Sequence, residues 1–395
     1  MRPVRVAVLN SHPIQYFAPL YAYLNRAEDI EVTALYCSDF SLRGGHDPGF
    51  QREVTWDIDL LAGYRAVFLG KRARVRNVGG FFSLIVPEVW REIRSGRYDV
   101  LWLHGHRHAV NLIAFAAAKT MGMPVMMRAE THLDLQRGRL KQALRRSLLG
   151  AFYRRIDRFL AIGSRNHAFY RSMDVPEEKI FRVPYSVDND RFSATADAAR
   201  PERGRLLREL GLPDDRPVVL YASRLVARKH PDDVLRAAAA LQAKHLRFSL
   251  LFVGTGEYET RLRQLAAELD LRDFAFAGFV NQAQLPRVYA AADVFVLPAE
   301  NEPWGLVVNE VMCAGLPVVA SNEVGSVHDL VADGENGYTH APGDVDALTA
   351  ALERLLRDAG LRSRMGEASR TRISRWGFEQ CLEGMRAALR GVATQ

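Results

Sequence analysis

With 395 residues the chain has room for two to three domains that each bury a core, and 48% hydrophobic with 25% charged residues excludes both a disordered chain and a membrane-embedded body. Three widely spaced cysteines, Cys37, Cys313 and Cys381, form no CxxC pair, which excludes a disulfide framework or thiolate zinc site and fits a reducing compartment. The net charge of +7 is uneven: residues 1–195 carry 29 Lys and Arg against 19 Asp and Glu, the remainder 24 against 27. The basic half lacks the aromatic interleaving of single-strand binders, so no nucleic-acid partner is expected.

In chain order, Arg2 and Arg5 precede VAVLN, too short for a signal segment, and the stretch reads as the first strand, VRVAVLN (4–10). Further strands are expected at 31–37, 65–69, 99–104, 124–129 and 158–162. The long apolar stretch from Val110 to Met127 is broken by Lys119, Gly122 and Pro124, so no span is expected. A cytoplasmic protein follows as the expectation. A polar, small-residue segment at 193–205 reads as the linker. Strands resume at 217–223, 248–254, 273–278, 293–298 and 317–321, and helical spacing returns at 378–390. This alternation predicts an α/β chain of two doubly wound Rossmann-like domains facing across a cleft, with ligands at the strand C-termini. The expected division is 1–195, 196–377 and a terminal helix at 378–395 that packs back toward the first domain.

The most informative stretch is ENEPWGLVVNEVMCAGLPVVAS (300–321). Glu302 lies in a loop that opens a helix, so the amides of Trp304, Gly305 and Leu306 are candidate donors to a phosphate or sugar oxygen. Glu310 follows eight residues later, on the order of 10 Å along a helix axis, which suits the two ends of a nucleotide sugar. Val307, Val308 and Met312 read as core. Arg224 and Lys229 sit just past the first strand of the second domain, and Gly254 and Gly256 of GTGE follow the next strand.

These segments, with LYASRLVARKHPDDVLRA (220–237) and DGENGY (333–338), resemble family 4 of the retaining glycosyltransferases, the glycosyl transferases group 1 of GT-B fold. The likeness runs through nearly all of the C-terminal half and is looser in the N-terminal half. It implies a nucleotide diphosphate sugar as donor, a carbohydrate, lipid-linked or small-molecule hydroxyl acceptor, no metal and no separate cofactor. It further implies that Arg224 and Lys229 clamp the diphosphate, that Glu302 holds the hexose and Glu310 the ribose, and that a front-face reaction passes the acceptor proton to the leaving phosphate.

The first half departs from that pattern. SHPIQYF (11–17) replaces a glycine-rich loop; either His12, Gln15 and Tyr16 touch substrate or Tyr16 and Phe17 begin a buried helix. In RAETH (128–132), Glu130 stands where the family carries a histidine, so either His132 takes that role, Glu130 marks a different donor or acceptor, or Glu130 and Arg128 form a structural ion pair. HGHRH (104–108) offers three histidines that scatter if a helix begins near Arg107. The basic helical segment 136–159, with Leu140, Leu144, Leu148, Phe152, Ile156 and Phe159 on one stripe, either covers the sheet or lies peripherally on an anionic inner-membrane face. The rival activities are a nucleotide-sugar epimerase of the same fold and a non-catalytic sugar-nucleotide-binding protein.

Overall fold

The computed structural model describes residues 2–47, 52–70, 80–131 and 149–392. They form two compact units, one of Met1–Gly45, Val54–Ser186 and Phe378–Gln395, the other of His46–Glu53 and Val187–Gly377. The main division therefore falls at Ser186, earlier than residue 195. The segment 193–205 is not a linker: Asn189–Ala199 is an α-helix capped by Asp188, which accepts from the Arg191 amide at 3.1 Å, and it buries Phe192 and Ala196. Its many alanines favour helix, and Ser193 turns inward to donate to the Cys313 carbonyl.

In the first unit the strands are β1 (Val4–Asn10), β2 (Ile30–Tyr36), β3 (Arg65–Phe68), β4 (Val100–His104), β5 (Val125–Arg128), β6 (Arg158–Ala161) and β7 (Ile180–Arg182). All pairs are parallel and the order is β3-β2-β1-β4-β5-β6-β7. The second unit holds β8 (Val218–Ala222), β9 (Ser249–Val253), β10 (Phe274–Phe276), β11 (Val294–Leu297), β12 (Val318–Ser321) and β13 (Gly337–His340), again parallel, in the order β10-β9-β8-β11-β12-β13. Helices cover both faces of such sheets, which is why β8, β9, β11 and β12 are buried along their whole length and read as continuous apolar runs.

The edge strands β7 and β13 escape the sequence reading because IFR and GYTH are short and partly polar. The stripe expected in 136–159 is core where it is described: Tyr153, Ile156 and Phe159 are buried with Phe152 packed against them, whereas Leu140, Leu144 and Leu148 lie outside the described residues. The terminal helix Phe378–Leu389 belongs to the first unit and packs on β7, β6 and Ala18–Leu24. A Cβ on Gly384 would sit 1.9 Å from the Arg182 carbonyl oxygen, so only glycine allows this approach.

An aspartate just before a central strand staples the N-terminal edges of both sheets. Asp99 accepts from the Arg5 amide at 2.9 Å, Asp157 from the Val125 amide at 2.7 Å and Asp293 from the Val218 amide at 2.8 Å. Asp99 also receives Arg2 and Arg5. Burial alone would raise the Asp99 pKa, but the hydrogen bonds from Arg5 and Arg2 hold it well below the usual carboxylate range. Because the folded pKa lies below the unfolded one, Asp99 contributes stability above about pH 4 that is lost as the pH falls toward the folded value. Asp99→Asn is expected to cost about 1–3 kcal/mol at neutral pH, and less in acid, as the two half-exposed guanidinium groups rehydrate. Urea unfolding of both proteins between pH 3 and 7 reads this as curves that converge in acid.

Candidate functional site

Winding direction reverses once in each sheet, between β1 and β4 and between β8 and β11, and a crevice opens at the C-terminal ends of strands at such a point. In the second unit the loops at this place are 223–230 and 298–306. The first turns through the 3-10 segment Ala227–Lys229, and His230, at φ 47°, redirects the chain into the helix Pro231–Ala243. That turn directs Lys229 inward, where it is 6% exposed. In the second loop, the Glu302 amide donates to the Glu323 carbonyl and the Glu302 carbonyl accepts from Gly325, which fixes the side chain's root.

The two loops meet through charge. Lys229 Nζ donates to Glu302 Oε2 at 2.5 Å and Arg228 Nη1 to the same oxygen at 2.9 Å. Burial pushes the Glu302 carboxyl up, but the Lys229 and Arg228 cations outweigh it, and the net effect lowers its pKa. Arg224 adds its field to Lys229, and its own side chain donates to no group among the described residues. Three cations and one carboxylate thus make a net positive site, with Lys229 preset and Arg224 available. Sequence reasoning named Arg224, Lys229 and Glu302 and missed Arg228. Neighbouring positions usually diverge, but here the tight 3-10 turn gathers Arg228 and Lys229 onto one oxygen.

Gly254 and Gly256 serve this loop. Their Cβ atoms would lie 2.1 Å from the Ser223 carbonyl oxygen and 2.3 Å from that of Leu225, and Leu225 donates to the Thr255 carbonyl at 3.0 Å. The close backbone approach seats the Arg224 loop against the end of β9. Glu310 lies in the helix Val307–Cys313, 1% exposed, with Oε2 accepting from the Tyr289 hydroxyl at 2.6 Å. Gly305, at φ 81°, and Leu306 have amides that donate to nothing among the described residues, as a helix start allows. The Trp304 indole is core: it donates to Asn309 at 3.0 Å and stacks on Trp376 at 5.7 Å.

In the first unit, Phe17 is buried and the helix begins at Ala18, so the end of SHPIQYF starts a helix, while His12, bonded to Ser11, and Tyr16 stay partly exposed. Glu130 is exposed and accepts from the Tyr185 hydroxyl at 2.6 Å; it makes no ion pair with Arg128. His132 lies outside the described residues. The three histidines scatter: His104 bonds the Tyr21 hydroxyl at 2.9 Å, His106 packs on Phe152 and Tyr153, and His108 meets the Gly80 carbonyl at 3.0 Å. Among the described residues, one group brings metal-ligating atoms together, His230, Asp232 and Asp233, and Arg236 donates to both of its carboxylates.

Two parallel α/β units of this strand order, with a cationic site at one reversal, are the GT-B fold. Over 98% of this chain and 99% of its own, the structure described as Anabaena Alr3699/HepE in complex with UDP superposes with a TM-score of 0.73 at 16% identity. Residues 202–372 match the family described as Glycosyl transferases group 1, and residues 13–186 match the Glycosyl transferase 4-like domain. A D-inositol 3-phosphate glycosyltransferase of Streptomyces scabiei is 30% identical over 75% of this chain and 69% of its own. A GDP-mannose-dependent alpha-(1-6)-phosphatidylinositol monomannoside mannosyltransferase of Mycolicibacterium smegmatis is 36% identical over 49% of this chain, which spans about half (52%) of that relative's length. The chain belongs to the glycosyl transferases group 1 family.

Glu302→Ala is expected to cost about 3–5 kcal/mol, because it leaves the buried Lys229 charge without its partner. Denaturant unfolding of Glu302→Ala, Lys229→Ala and the double variant checks this: the double variant should lose less than the sum of the two, by more than about 1 kcal/mol.

Proposed function

We propose that the protein transfers a hexosyl group from a nucleoside diphosphate sugar to a hydroxyl acceptor, with retention of configuration and without a metal. The observation that carries this reading is the ion cluster at the β8–β11 reversal: Lys229 held by Glu302 beside Arg228, with Arg224 in the same loop. As the glycosidic bond breaks, negative charge grows on the departing diphosphate, and donors already aimed there gain strength in the transition state. Arg224 offers a planar fork for two phosphate oxygens and Lys229 a point charge. Glu302 keeps Lys229 protonated and oriented until substrate arrives and then faces the sugar hydroxyls. Glu310, with Tyr289, receives the ribose diol, and the Gly305 and Leu306 amides take a phosphate or sugar oxygen. UDP bound to HepE and GDP-mannose used by the mycobacterial relative agree in donor class.

Lys229→Ala is expected to lower turnover by about 10²–10³, the usual loss for one preorganised donor, while weakening donor binding far less. The comparison is steady-state kinetics on donors screened as nucleoside diphosphate sugars, with and without excess chelator. Activity abolished by chelator and restored by a divalent ion would overturn the metal-free reading and direct attention to His230, Asp232 and Asp233. Isomerised sugar formed without an acceptor would favour the epimerase.

The same reading extends to a peripheral contact of the first unit with an anionic membrane. Besides its net positive charge, Phe82 and Ile85 are exposed by 74% and 59%, and Phe81 and Leu112 are exposed beside them. Phe82→Ser should reduce sedimentation with anionic vesicles, and salt should reduce it for both proteins because exposed charges are screened over about 8–10 Å. Equal sedimentation with neutral and anionic vesicles would remove this contact.

A further inference from the structure

Arg128 ends β5, with His104 of β4 as its register partner, so it stands one strand from the reversal of the first sheet. It is 2% exposed, and its Nε and Nη1 atoms are enclosed without a hydrogen-bond acceptor. No carboxylate among the described residues lies within ion-pair distance of it; Glu130, two residues on, is bonded to the Tyr185 hydroxyl instead. The guanidinium carbon lies 4.7 Å from the centre of the Tyr185 ring and 5.3 Å from that of Phe17.

Two aromatic faces offset only part of the cost of enclosing this charge. A desolvated cation–π contact contributes about 2 kcal/mol, whereas an enclosed ion loses several kcal/mol of hydration. Glu130 acts on the Tyr185 hydroxyl, and the other neighbouring titratable groups among the described residues are neutral. Burial, reinforced by Arg128 itself, lowers the His104 pKa and keeps its ring neutral, and burial raises those of Tyr21, Tyr170 and Tyr185. The Cys381 thiol is pushed up to about 11, also by burial. A permanent cation is therefore held at the end of a central strand with no ion-pair partner among the described residues. A guanidinium edge accepts a carboxylate or a phosphate in a paired geometry.

We propose that Arg128 is an oxyanion-binding residue of the first unit and that the acceptor carries a phosphate or carboxylate group. This rests on the glycosyl-transfer reading for the word acceptor, but not for the binding site. The phenyl and phenol rings that flank Arg128 hold its plane, and the ligand's anion completes its hydrogen bonds. Neutral polyols then make poor acceptors.

The test is calorimetric titration of the full chain with glycerol 3-phosphate, glycerate and glycerol, in the presence of UDP and GDP to occupy diphosphate-binding cations elsewhere. One or both charged ligands should bind at least about tenfold more tightly than glycerol, and the charged ligand that binds identifies phosphate or carboxylate. Arg128→Gln should erase that margin and Arg128→Lys should keep part of it. Charged and neutral ligands bound alike by the natural protein, or a margin that survives Arg128→Gln, would overturn the proposal. Should Arg128→Gln fail to fold, crystals of the natural protein soaked in selenate decide: anomalous density within hydrogen-bond distance of the Arg128 guanidinium supports the site, and its absence there refutes it. Loss of nucleotide binding with the charged-ligand margin intact would sink the transfer reading and leave the Arg128 site standing.

Discussion

Parallel strands all end on one side, and a parallel sheet whose winding reverses leaves one pair of neighbouring loops that diverge over opposite faces. Everything chemical in this chain hangs on that constraint. Lys229 and Glu302 are 73 residues apart in sequence and share a hydrogen bond because β8 and β11 are neighbours at the reversal. His104 and Arg128 are brought together by the register of β4 and β5, one strand from the corresponding place in the first sheet. Neither pair needs a long-range instruction beyond strand order.

The same polarity divides labour between the two ends of each sheet. At the N-terminal ends, Asp99, Asp157 and Asp293 accept the amides of adjacent strands and lock the register with partners the protein supplies itself. At the C-terminal ends the charges are cationic and less completely matched. Burial there makes a compensating anion valuable: Glu302 supplies it to Lys229, and within the described residues nothing supplies it to Arg128. Rigid edges on one side allow buried, energetically costly charges on the other.

Much of this was legible in the sequence. Central strands are apolar across their whole length because helices cover both faces, so β1, β4, β8, β9, β11 and β12 stand out, and the glutamate and cation motifs lie on the loops between them. Short edge strands such as IFR and GYTH carry too few residues for any period to register. The stretch at 193–205 reads as a linker because small and polar residues serve exposed helices and loops equally well; the burial of Phe192 and Ala196 separates them. Gly254 and Gly256 also lie against the protein's own 223–225 backbone, a contact between loops about 30 residues apart that spacing does not reveal. Arg128 reads in the sequence as a candidate ion-pair partner of Glu130; its separation from the carboxylates of the described residues is a property of three dimensions.

The close seating of Gly384 on Arg182 has a consequence for biosynthesis. The first unit is finished by a helix that follows the second unit in the chain, since Phe378–Leu389 covers β6 and β7 only after the entire second unit has been made. Until then the edge of the first sheet and the side chains meant to lie beneath Cys381 and Met385 stay uncovered. Completion of the first unit is thereby deferred until the second unit has been made, and a nascent chain stalled within the second unit presents an unfinished apolar edge to whatever chaperone attends it.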